Sequence, residues 1–207
     1  MTPRVDPTTY IKTGLGKAML ALQREVETSG LEHSTLELVK LRASQINGCA
    51  YCIDMHTKDA RALGETEQRL YALNAWREAP FYSDRERAAL EWAEAVTLVS
   101  VDHVPDAVYE AVKPHFTEAE LVALTFALVA INSWNRLSIA FRPPVGSYQS
   151  PHAHAAVGLQ SVSSCTWGPP SGAPWSGRLK PAPTYEPRAP SDRRAWQGRP
   201  KPACLYV

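Results

Sequence analysis

The stretch Glu37-Leu-Val-Lys-Leu-Arg-Ala-Ser44-Gln-Ile-Asn-Gly48-Cys49-Ala-Tyr51-Cys52-Ile-Asp-Met-His56 decides how this chain folds. Its first part carries a helix through Leu38, Leu41 and Ile46. Asn47-Gly48 then punctuates it, because glycine readily takes the left-handed conformation that closes a helix. A second helix begins near Cys49 and ends at Gly64. Upstream, Ser34-Thr-Leu-Glu37 has the form of a capping box, in which the fourth residue's carboxylate answers the first residue's hydroxyl.

The same signals recur outward in both directions. Residues 9–28 place Leu15, Met19, Leu22 and Val26 at helical spacing, and Gly30 follows as a stop. A helix is expected from Thr66 to Glu78, ending before Pro80. Ser83-Asp-Arg-Glu86 is a second capping box and opens a helix to about Val99. Pro105 suits the first turn of a short helix. Thr117-Glu-Ala-Glu120 is a third capping box, opening a last helix through Ile139. Its segment Leu121–Ile131 is apolar on all sides, which places such a helix centrally in a bundle or under another subunit. No stretch alternates with period two long enough to demand a strand. The expected fold is therefore all-α, a bundle of about six to seven helices with an apolar central C-terminal helix.

Composition divides the chain at residue 150. Of 17 Pro, ten fall in residues 151–207, with five of the 11 Gly. That tail holds seven Lys+Arg and two Asp+Glu, whereas the whole chain has 22 and 21 and a net charge of +1. Residues 1–150 are expected to form the helical domain. The tail is too rich in Pro and Gly to sustain helices or strands. It reads as a solvated extension, a basic interaction tail, or, given Trp167, Trp175, Trp196, Cys165 and Cys204, a product of translation in a shifted frame. Its removal after Ser150 is expected to leave assembly and activity intact. The near-zero net charge gives no signal for nucleic acid or an anionic membrane surface. The uncharged run Leu121–Asn135 is short for a membrane span. No targeting segment is evident, so the cytoplasm is the expected compartment.

The chemistry lies between Glu37 and His56. On a helix turning ~100° per residue, Cys52 and His56 lie about 40° apart, and Cys49 lies within about 60° of both. A helix N-terminus favours a thiolate, and an imidazole one turn on can take its proton. Two cysteines three apart can close a disulfide once one is oxidised. The segment thus has the parts of a dithiol redox centre. Attachment of c-type haem would need His directly after the second Cys, where Ile53 stands. A structural zinc site needs four ligands, and Cys49, Cys52 and His56 supply three. Two inert core cysteines are the bland alternative. Glu37, by spacing alone, is a helix-capping carboxylate.

This motif resembles the core of the AhpD-like alkylhydroperoxidases of the carboxymuconolactone decarboxylase family, and Ile131-Asn-Ser-Trp-Asn-Arg136 is similar to a segment of stand-alone members. The resemblance covers residues 8–148. It implies an all-α fold, assembly as a homotrimer or homohexamer, and a thiol-dependent peroxidase. By the same resemblance Cys52 attacks the peroxide, Cys49 resolves, His56 is the base, and Glu37 orients it or relays its proton. Ser44, Tyr51, Trp134 and Asn135 are expected to line the pocket. The implied partners are a peroxide and an external dithiol, either thioredoxin-like or lipoyl-bearing, with no metal and no cofactor. Tyr51 departs from the family pattern, where the best-studied members carry histidine; its hydroxyl can donate a hydrogen bond but cannot accept a proton near neutral pH. The lactone decarboxylases generally lack the cysteine pair, so decarboxylation is not expected. Two other readings remain open, a general disulfide reductase or redox sensor, and a non-catalytic oligomeric binding protein.

Overall fold

A computed structural model of the chain describes residues 2–152. The expectations for the tail beyond residue 152 lie outside the described residues. Within them there are helices and no strands: α1 (Pro7–Ile11), α2 (Gly14–Glu27), α3 (His33–Asn47), α4 (Ala50–Ala62), α5 (Glu67–Ala72), α6 (Asp84–Thr97), α7 (Val99–Asp102), α8 (Asp106–Val112) and α9 (Glu118–Phe141).

The count exceeds seven for local reasons. The first expected helix is broken after Lys12, where Thr13 caps a new one by accepting from the Gly16 N–H. Gly16 is required there: a Cβ would stand 2.6 Å from the Ile11 carbonyl oxygen and against that of Tyr10. After α6 the chain makes one extra helical turn, α7, before His103 and Val104 take positive φ. Pro105 stands just before α8 rather than inside its first turn.

Two capping boxes form as read, at Ser83/Glu86 and Thr117/Glu120. The third does not. Helix α3 starts one residue earlier, at His33, with Glu32 in the cap position and no side-chain cap bond. Glu37 is free of capping because its carboxylate is turned into the interior.

Helix α3 is the axis of the bundle. One face, Leu36, Val39 and Ala43, packs with Trp92 of α6 and with Leu124, Leu128 and Ile131 of α9. Another, Leu38 and Leu41, packs with Leu70, Leu73, Trp76 and Leu90. With apolar neighbours on two sides, α3 has little solvent-facing surface, and the hydrophobic stabilisation of both clusters converges on it. Between these faces runs a buried polar stripe, Glu37, Lys40 and Ser44, at the i, i+3, i+7 spacing of a helix edge. Helix α9 packs on α2, α3, α4 and α6 and contributes to the core along its length. Its outer edge remains exposed at Val122, Phe126, Val129 and Ile139. By length and composition α9 could cross a membrane; here it serves as a core helix.

Candidate redox site

The polar stripe of α3 meets α4 and α9, and the site is built where they meet. Gly48 closes α3 with φ +67 and turns the chain into α4. This places Cys49 in the cap position of α4 and Cys52 in its first turn, among backbone N–H groups that have no helical acceptor. Both thiols are free and both are 1% exposed.

The two sulfurs are within hydrogen-bond reach of each other. The Cys49 thiol is lowered to about 7, first by a hydrogen bond from Cys52; burial opposes this, and the Cys52 backbone N–H, Ser138 and Asn135 add to it. Cys52 is pushed above the usual thiol range because its proton is held by Cys49, then by burial and by the charge on Cys49. Ser138 Oγ lies 3.8 Å from Cys52 Sγ. Asn135 is held rigidly: its Nδ2 donates to Ser44 Oγ (3.0 Å), and its Oδ1 accepts from Asn47 Nδ2 (2.8 Å). Ser44 in turn donates to the Lys40 carbonyl (2.8 Å). A polar group buried without a partner is costly, and this chain of bonds fixes the Asn135 amide in one orientation.

One turn further along α4, His56 Nδ1 lies 2.7 Å from Glu37 Oε2, and Lys40 Nζ donates to Glu37 Oε1 at 3.0 Å. Burial works to raise the Glu37 pKa. The hydrogen bond and charge of His56, with those of Lys40, outweigh it and hold the carboxyl at about 2. An ionised carboxylate can only accept, so the proton of this contact sits on Nδ1. Nε2 is therefore the ring nitrogen that can accept when the imidazole is neutral. It is buried and has no protein partner among the described residues.

The predicted residues fall into two linked groups. Cys49, Cys52, Ser44 and Asn135 form one, and Glu37 and His56 form the other. The imidazole makes no hydrogen bond to either sulfur, so the direct thiolate–imidazole pairing read from helix spacing is not seen; Glu37 draws the ring by Nδ1. Tyr51 lines a surface groove of about 610 Å3 with Cys49, Ser138, Ile139, Arg142 and Val145. Trp134 lines a separate small cavity with His56. Sequence reasoning missed Lys40, Ser138 and Asp59. Each lies three residues from a predicted site residue, Glu37, Asn135 and His56 respectively, and so on the same helix edge. Asp59 accepts from the Tyr148 hydroxyl at 3.0 Å. Glu37, His56 and Asp59 offer donor atoms within 4.8 Å of one another. Both oxygens of Glu37 are already engaged by N–H donors, an arrangement suited to protons rather than to a cation.

Relatives share this architecture. The model of the carboxymuconolactone decarboxylase family matches residues 14–95. The uncharacterized protein YdfG of Bacillus subtilis is 51% identical over 124 residues, 60% of this chain and 84% of that protein. A solved structure from Agrobacterium tumefaciens, a protein of unknown function named for the antioxidant defence protein AhpD, is 41% identical with a TM-score of 0.67. The match covers 71% of this chain and all (100%) of that one. An uncharacterized peroxidase-related protein from Silicibacter is 25% identical, with a TM-score of 0.57 over 63% of this chain and 70% of that one. The chain belongs to the carboxymuconolactone decarboxylase family and has its AhpD-like all-α fold.

Proposed function

We propose that the protein is a thiol-dependent peroxidase in which the Cys49–Cys52 pair reduces a peroxide and is re-reduced by an external dithiol. The observation that carries this reading is the geometry: two free, buried thiols in hydrogen-bond reach of each other, with the Cys49 thiol lowered to about 7 by Cys52, beside a buried Glu37–His56 relay. An inert core pair would keep both protons at that pH.

The first proton leaves the pair through His56 Nε2 to solvent; the ionised Glu37 stabilises the transient imidazolium by holding Nδ1–H, and the ring returns to its neutral form before peroxide binds. Moving the remaining proton from Cys52 to Cys49, along the hydrogen bond they share, puts the charge on Cys52. The Cys52 thiolate attacks the hydroxyl oxygen of the peroxide. An S–O bond forms, the O–O bond breaks, and its electron pair departs on the second oxygen. That oxygen takes up a proton from solvent and leaves as water or an alcohol. Cys52 is then a sulfenic acid. Cys49 displaces its hydroxyl group, which leaves with the Cys49 proton as water, giving the disulfide. An external dithiol, thioredoxin-like or lipoyl-bearing, exchanges with the disulfide and is itself oxidised. The groove reaching Cys49 supports that sulfur as the one the reductant meets. Assembly as a homotrimer or homohexamer, supported by the apolar outer edge of α9, and residence in the cytoplasm belong to the same reading.

Mass spectrometry before and after one equivalent of hydrogen peroxide tests it. The wild-type pair should lose two protons. Cys49→Ser should stop at a sulfenic acid on Cys52, and Cys52→Ser should consume no peroxide. Full peroxidase activity in Cys52→Ser with any dithiol would overturn the assignment.

A further inference from the structure

Two buried nitrogens in this region lack protein partners among the described residues, His56 Nε2 and Trp134 Nε1. Both residues line the same small cavity, between α4, α9 and the end of α2. Lys40 of α3 also lines it, with its Nζ bonded to Glu37, and the other walls are largely apolar, with Val26, Ala127 and Ile131 among them. The cavity volume is about 20 Å3, enough for a ligand of one or two heavy polar atoms. A buried polar group costs free energy until it is paired, so two such groups around one space select what can fill it.

Their chemistry is complementary. The indole N–H can only donate. Nδ1 carries the proton facing Glu37, so Nε2 of the neutral ring accepts. A fitting ligand therefore presents an O–H and, on the same or an adjoining atom, a lone pair. Along α4 the cavity lies one turn from Cys52. On α9, Trp134 directly precedes Asn135, whose amide stabilises the thiolate of the pair.

We propose that the His56–Trp134 cavity is the peroxide-binding subsite, in which the –O–O–H group donates its hydrogen to His56 Nε2 and accepts from Trp134 Nε1–H on its other oxygen. This rests on the peroxidase reading and adds to it a substrate-binding residue, Trp134. The indole N–H then lies on the oxygen that leaves when the O–O bond breaks, where negative charge develops. The size of the space favours hydrogen peroxide or the terminal group of an alkyl hydroperoxide whose chain extends past the half-buried Gln23 and Met55.

Two measurements test the proposal. In the full-length Cys49→Ser/Cys52→Ser protein, which cannot be oxidised at the pair, the Trp134 indole N–H resonance is assigned by its loss in Trp134→Phe. Hydrogen peroxide should shift it saturably. In the protein with both cysteines intact, Trp134→Phe should slow reaction with hydrogen peroxide about tenfold, the loss of one hydrogen bond. Its reaction with a small aromatic disulfide should stay unchanged. A resonance that hydrogen peroxide does not move leaves the cavity a water site and overturns the proposal, as does equal slowing of both reactions. A shifted resonance in a protein that consumes no peroxide with any dithiol would retire the peroxidase reading and leave the subsite standing.

Discussion

Replacing Glu37 by Gln removes one charge from the centre of the relay and keeps the shape of the side chain. The native carboxyl titrates at about 2 against an ordinary value of 4.5, and the residue is 7% exposed. A shift of that size corresponds to about 3 kcal/mol favouring the folded state at neutral pH. The sign follows from the direction of the shift. A depressed carboxyl stabilises fully above its unfolded pKa, and the contribution fades as pH falls from 4.5 through about 2. Glu37→Gln should therefore unfold about 3 kcal/mol more easily than wild type at pH ~7, and the gap should close by about 2 kcal/mol at pH ~3. Urea unfolding of both proteins at one protomer concentration, across that range, measures the gap directly. Peroxide turnover should fall as well, because an uncharged amide, although its oxygen can still accept from Nδ1–H, no longer stabilises the imidazolium by charge. A gap that stays constant between those pH values would refute the idea that the ionised carboxylate carries the stabilisation.

The capping arguments make opposite forecasts for two similar serines. Ser83→Ala removes a formed cap and should cost about 1 kcal/mol, whereas Ser34→Ala should change thermal stability by less than about 0.5 kcal/mol, since no box forms there. Gly48→Ala has room for its methyl group but must hold φ +67, so it should cost about 1–2 kcal/mol in urea unfolding. Asn135→Ala withdraws a donor from the thiolate; the ultraviolet thiolate signal, expected in wild type to rise as pH increases through about 7, should move to higher pH.

Much of this protein is legible one helix at a time. The stops at Gly30, Gly48 and Gly64, the boxes at Ser83 and Thr117, and the apolar run of α9 are local signals, and local backbone geometry answers them. The break between α1 and α2 was hidden because Gly16 looks like an ordinary weak helix residue until the carbonyls of Tyr10 and Ile11 crowd it. Ser34–Glu37 shows the opposite failure. The spacing is right for a cap, but a buried imidazole and ammonium compete for the same carboxylate with charge-assisted bonds, and they prevail over a surface hydroxyl.

The sequence by itself determined which groups are available: two thiols, an imidazole and a carboxylate, each pinned to a helix edge by the fixed angle between successive residues. Only the tertiary structure decided how they are coupled. Asn135 and Ser138 reach the sulfurs from a helix more than eighty residues away, Glu37 turns the imidazole to itself rather than to a thiol, and Trp134 closes a space beside His56. Helix periodicity sets the direction in which a side chain points, but what it meets there depends on how the helices pack, and that is settled by the burial of apolar faces far along the chain.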